Sequence, residues 1–245
     1  MSDRPVRLAM WSGPRNLSTA MMRSWEHRAD TVVMDEPLYA HYLAATGLDH
    51  PMAAEIIASQ PTDPVEAVAS CLAPLPDGIT VSYQKHMSHH LLPELGRAWL
   101  DELHHVLLLR HPARVLASYL DKREEVTLDD IGLPQQLELL DRAELVIDAD
   151  DFLRGPRPYL VALCELIGVE FDDAMLSWPA GPRSSDGVWA PHWYDAVWQS
   201  TGFQTIGPSA PARPLPAAPP GLEALLGDAV AIYDELAARR LVVTS

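Results

Sequence analysis

Five short apolar stretches rich in Val, Ile and Leu recur along the chain, at Val6–Trp11, Thr31–Asp35, Ile79–Gln84, His104–Arg110 and Glu144–Ala149, with longer segments between them. No other feature constrains the fold as strongly. Stretches of this length and composition fit strands covered on both faces, the situation in parallel sheets flanked by helices. The intervening segments carry helical periodicity, which predicts helices over Asn16–Arg28, Pro64–Ala73, Pro112–Arg123, Pro134–Arg142, Pro156–Ile167 and Leu222–Arg239. Several open on proline, whose fixed φ and missing N–H suit the first helical turn. The alternation predicts an α/β fold with a parallel β-sheet flanked by helices.

The 245 residues suffice for one α/β domain spanning 1–245 with a full core. Between Gly207 and Gly221 the sequence GPSAPARPLPAAPPG cannot pair into a sheet and reads as a surface connection to the last helix. No apolar run approaches the ~20 residues of a membrane span, and the opening MSDRPVR lacks the apolar region of a signal peptide. A soluble, cytoplasmic protein with no membrane partner is expected. The net charge of -16 argues against sequence-independent nucleic-acid binding, which needs Lys and Arg against phosphates. It leaves room for a small anion wherever the 18 basic residues converge. The two cysteines, Cys71 and Cys164, sit in apolar helical sequence and read as buried thiols.

In such a sheet, ligands bind beyond the carboxyl ends of the strands, so the residues there carry the chemistry. The run VRLAMWSGPRNLSTAMMRSWEHR, Val6 to Arg28, reads as strand, basic hydroxyl-rich turn and amphipathic helix. That makes a phosphate or sulfate cradle, with helix N–H groups, the Ser18 and Thr19 hydroxyls and the Arg15 charge aimed at one anion. It is not a Walker A loop, because Gly13 is followed by PRNLST, without the second glycine or the lysine. After the second strand come Asp35 and Glu36, after the third Lys85, His86 and His89, and after the fourth Arg110, with Ser118 eight residues on.

Together these motifs resemble the sulfotransferases that use 3′-phosphoadenosine 5′-phosphosulfate. Arg15-Asn16-Leu17-Ser18-Thr19 is similar to their 5′-phosphosulfate loop, and Arg110 followed by Ser118 inside a helix start is similar to their 3′-phosphate motif. Asp35-Glu36-Pro37-Leu38 resembles the acid-Glu-Pro segment of the carbohydrate and bacterial branch. Gln84-Lys85-His86-Met87 with Leu91-Leu92-Pro93 resembles the Lys-x-His and Leu-Leu-Pro stretch of the cytosolic branch, and Glu144–Gly168 the family's strand, acidic turn and helix. The resemblance implies a P-loop NTPase-like sulfotransferase fold, with the phosphosulfate donor as cofactor and a small-molecule acceptor. It implies Arg15, Asn16, Ser18 and Thr19 on the 5′-phosphosulfate and Arg110 and Ser118 on the 3′-phosphate; it does not settle the base, which is open among Glu36, His86 and His89.

There are departures. Leu17 stands where the family has glycine, Arg15 replaces the cytosolic-branch lysine, and Met87 occupies the position of that branch's catalytic histidine. Arginine binds an oxyanion well but donates a proton poorly, which leaves Lys85 or a histidine as acid. The alternatives are a P-loop-like phosphotransferase, which the missing Walker lysine disfavours, and a non-catalytic nucleotide binder of the same fold. His86, His89 and His90 have helical spacing, yet no carboxylate or thiol completes a zinc set. Four tryptophans, Trp178, Trp189, Trp193 and Trp198, crowd the stretch 172–203, which either lines a substrate pocket or is pinned to the core.

Overall fold

The computed structural model describes residues 5–119, 126–207, 209, 211 and 213–243. Its strands are β1 (Val6–Ser12), β2 (Thr31–Asp35), β3 (Val81–Met87), β4 (His104–Leu109) and β5 (Leu145–Asp148). All pair in parallel, in the order β2-β3-β1-β4-β5. The predicted α/β architecture is therefore present. From the central β1 the chain builds first to one side and then to the other, and this reversal leaves a crevice at the carboxyl ends of the middle strands.

The third strand differs from the sequence expectation of Ile79–Gln84. It starts at Val81 and runs through Lys85 and His86 to Met87, in register with β1 from Val6↔Val81 to Ser12↔Met87. On its other side β2 pairs from Thr31↔Val81 to Asp35↔Lys85. Pairing on both edges carries the ladder through residues whose polarity suggested a loop. Because successive strand residues point to opposite faces, Lys85 and His86 are sent to different sides of the sheet.

Between the strands lie α1 (Ser18–Glu26), α2 (Tyr39–Thr46), α3 (Ala53–Ser59), α4 (Pro64–Cys71), α5 (Pro112–Tyr119), α6 (Leu133–Leu139), α7 (Ala149–Phe152) and α8 (Pro156–Leu166). Beyond them come α9 (Ala190–Trp193), α10 (Asp195–Trp198) and α11 (Glu223–Ala237). The sequence reading did not anticipate α2 or α3. In α2, Tyr39, Ala40, His41, Tyr42 and Leu43 are all buried, so the helix shows no polar stripe to mark it. The expected continuation of α5 through 120–123 lies outside the described residues. Gly207–Gly221 contains neither helix nor strand among its described residues.

One core packs Met21, Met22 and Trp25 of α1 and Leu160 and Leu163 of α8 against Leu8, Met10, Tyr83 and Leu108. The other packs α4, α5, α6 and α11 against Ala9, Trp11, Leu107 and Leu109. The cysteines are unbridged and buried, one in each core. Gly13 closes β1 under tight constraint, since a Cβ there would come 2.3 Å from the Ile131 carbonyl oxygen. Among the described residues, no helix is long and apolar enough to cross a membrane.

Candidate functional site

The crevice is a cavity of about 300 Å³ along the carboxyl edge of the sheet. Its end beyond β1 and β4 is cationic. Arg15 adopts a left-handed φ of 57°, an uncommon conformation for an arginine. It donates Nε–H to Ser118 Oγ at 2.8 Å, and its carbonyl accepts from the Arg110 guanidinium. Asn16 donates to the Leu108 carbonyl at 2.9 Å and accepts from the Leu17 N–H at 2.8 Å, fixing the turn to β4. Helix α1 begins at Ser18 without a side-chain cap, so its first N–H groups and dipole are directed at this end. Burial, with Arg114, Arg15 and Arg213 close by, lowers the Arg110 pKa from its usual value against the pull of Asp150. Cations gathered this closely repel one another, and a multiply charged phosphate or sulfate relieves that repulsion.

Beyond β2 and β3 the cavity is different. Lys85 is buried and donates to Asp35 Oδ1 at 2.8 Å, Glu36 Oε1 at 2.7 Å and Tyr194 Oη at 2.5 Å. The two carboxylates hold its pKa well above the usual value despite burial. Asp35 also accepts from the Tyr194 hydroxyl at 2.8 Å and from the Gly187 N–H at 3.0 Å, while Trp189 Nε1 donates to Tyr194 Oη at 3.1 Å. Glu36 has a φ of 45° and donates its N–H to the Lys85 carbonyl at 2.9 Å. Residues held in such sparsely populated conformations cluster at functional sites. Burial pushes the Glu36 carboxyl above the ordinary carboxylate range; Lys85 opposes this and Asp35 adds to it.

Of the residues singled out in the sequence, Arg15, Asn16, Ser18, Thr19, Arg110 and Ser118 line this cavity. So do Glu36, Lys85 and His89. His86 does not. Its ring stacks on Trp11 at 4.2 Å and its Nε2 lies 3.1 Å from Gln84 Oε1, on the opposite face of the sheet from Lys85. Burial pushes its pKa down to about 3. His89 packs edge-on against Tyr42 at 5.3 Å and His90 at 4.4 Å. Among the described residues, no group of three or more His, Cys, Asp or Glu is arranged to hold a metal ion.

The sequence reading missed Tyr194 and Tyr39, and named His90 only in a zinc set that it set aside. The crowding of tryptophans in 172–203 was the available signal, and its two readings hold together. Trp189 and Trp193 line the cavity, whereas Trp178 is buried and bonds Ser200 Oγ at 3.0 Å.

Comparison with known proteins places this geometry in context. Two curated Arabidopsis thaliana proteins, named branched-chain-amino-acid aminotransferase-like proteins 1 and 2, are 35% and 34% identical over 207 and 201 residues. The matches cover 82% and 80% of this chain but 37% and 36% of those proteins, so the chain spans little more than a third of their length. Among solved structures, the sulfotransferase domain of the Synechococcus PCC 7002 olefin synthase superposes with a TM-score of 0.59 at 19% identity, covering 99% of this chain and 98% of that one. A sulfotransferase from Alicyclobacillus acidocaldarius superposes with a TM-score of 0.54 at 14% identity, covering 98% of each chain. At those identities the likeness is one of fold. A family model described as Sulfotransferase domain matches residues 6–240, from the first residue of β1 to just beyond α11, and by that match the chain belongs to the sulfotransferase family.

Proposed function

We propose that the protein transfers a sulfuryl group from 3′-phosphoadenosine 5′-phosphosulfate to a hydroxyl or amine of a small acceptor. The observation that carries this reading is the division of a single cavity into a cationic end and a carboxylate end, meeting along one sheet edge. The donor supplies the activated sulfuryl group. Arg15, the Ser18 and Thr19 hydroxyls and the α1 N-terminus hold its 5′ end, and Arg110 and Ser118 hold the 3′-phosphate.

Glu36 is the base. It takes the acceptor proton as the acceptor oxygen or nitrogen bonds to sulfur and the bond from sulfur to the bridging oxygen breaks, its electron pair leaving on the 5′-phosphate. Lys85 keeps Glu36 ionised enough to accept that proton, and burial keeps it basic enough to be effective. His86 takes no part, because it lies across the sheet. Positioned cations and helix N–H groups stabilise charge on the transferring group, which is how such displacements are accelerated.

Calorimetric titration without metal tests the reading, with adenosine 3′,5′-bisphosphate set against magnesium-ATP. Preferential micromolar binding of the bisphosphate is expected. Preference for magnesium-ATP would instead indicate a phosphotransferase. Bisphosphate binding without product from any acceptor would indicate a nucleotide-binding member of the fold that has lost catalysis.

A further inference from the structure

The acceptor end contains more negative than positive charge. Asp35, Glu36 and Lys85 are all buried, and Lys85 is the cation for both carboxylates, with contacts of 2.8 and 2.7 Å. Its third bond goes to Tyr194 Oη, and its ammonium lies 4.8 Å from the Tyr194 ring centroid. No donor position of this ammonium is left to meet an incoming anion. Among the described residues, Arg15 and Arg110 are the other Lys or Arg side chains lining the cavity, and both lie at the end beyond β1 and β4.

The wall around the carboxylates is aromatic. Tyr39 stacks on His90 at 4.5 Å and meets Trp189 edge-on at 5.2 Å, while Trp193 and Met87 extend the lining. His90 is buried, and its Nδ1 has no hydrogen-bond partner. Burial first, then neighbouring His89, His50, Lys85 and His86, hold its pKa well below the usual value, so it presents a neutral imidazole. An acceptor carboxylate, phosphate or sulfate brought here would lose its hydration against the Glu36 carboxylate, with Asp35 buried behind it, and against apolar rings. A neutral or cationic body would keep favourable contacts with those rings.

Resting on the sulfotransferase reading, we infer that the acceptor is a hydroxyl or amine compound with an apolar or cationic body and no anionic group of its own. The discrimination originates in the Asp35–Glu36 pair and its single shared lysine.

Three probes of similar shape test this at pH 8, where exposed imidazoles are neutral: benzyl alcohol, 4-(aminomethyl)benzyl alcohol and 4-(hydroxymethyl)benzoate. Each is titrated calorimetrically into the protein with and without adenosine 3′,5′-bisphosphate. The benzoate is expected to bind at least about tenfold more weakly than the other two, in keeping with an unpaired charge in a low-dielectric site. In Glu36→Gln that ratio should narrow several-fold. Benzoate binding as tightly as benzyl alcohol would overturn the inference, as would a ratio unchanged in Glu36→Gln or no binding by any probe. Absence of bisphosphate binding would count against the donor assignment alone, because the probe ranking is read separately on the nucleotide-free protein.

Discussion

The two ends of the cavity solve opposite electrostatic problems. Beyond β1 and β4, Arg15 and Arg110 converge with no carboxylate bonded to either in the described contacts, and the Arg110 guanidinium bonds a backbone carbonyl instead. Beyond β2 and β3, Lys85 is paired with two carboxylates and a phenol before any ligand arrives. The first end has electrostatics that favour an anion. The second is complete in itself, and its polar groups hold the surrounding structure together. Gly187 and Tyr194, from the segment carrying the four tryptophans, are anchored on Asp35. Arg23 of α1 secures the same segment through Asp186.

Removing a cation should therefore have opposite consequences at the two ends. The largest effect is expected from Lys85→Met, which leaves Asp35 and Glu36 buried side by side without a positive partner. Breaking a buried ion network from one side costs about 3–5 kcal/mol, enough to unfold much of a marginally stable domain. Thermal and urea unfolding should both show it. A Lys85→Met variant as stable as the parent would mean that the carboxylates carry protons in the parent too, and the picture of a self-neutralised end would fail.

Arg110→Ala should do the reverse. Its guanidinium is already disfavoured by burial and three neighbouring arginines, so stability should change little, within about 1 kcal/mol. Affinity for adenosine 3′,5′-bisphosphate should fall about 10- to 100-fold, the range for a lost hydrogen bond to a charged group. Affinity for adenosine 5′-monophosphate should barely move. Equal losses for the two nucleotides, measured by the same calorimetric titration, would remove Arg110 from the 3′-phosphate.

The ends also differ in how far the sequence reveals them. The cationic end comes largely from one continuous segment, 13–19, joined by Arg110 and Ser118 at a helical spacing, so local pattern exposes nearly all of it. The carboxylate end requires Asp35, Lys85 and Tyr194 to meet across separations of 50 and 109 residues. The strand-end rule gathers Asp35, Glu36 and Lys85 at one edge, but no periodicity brings Tyr194 to them. The reading of β3 shows the same limit, for its local polarity ended the strand at Gln84, whereas pairing with β1 and β2 extends it to Met87. That difference decides which residues face the cavity. With Lys85 and His86 in a loop, both belong among the candidates; in a strand, alternation sends one to each face.

The smallest expected effect follows from that alternation and discriminates between the candidate bases. If Glu36 takes the proton, activity should rise with pH through an acid limb lying above the ordinary carboxylate range, since burial raises the Glu36 pKa and the base must be ionised to act. In Asp35→Asn a negative neighbour is lost and Lys85 is left to Glu36 alone; both changes favour the ionised form, so the limb should move to lower pH. His86→Gln should leave the limb where it is. With a pKa pushed down to about 3, His86 is already neutral across that range, and its stacking on Trp11 places its loss in packing, at about 1 kcal/mol. The measurement is kcat against pH for the three proteins. A limb displaced in His86→Gln but fixed in Asp35→Asn would transfer the proton to the histidine and require β3 to present it to the cavity, contrary to the register that places Lys85 there.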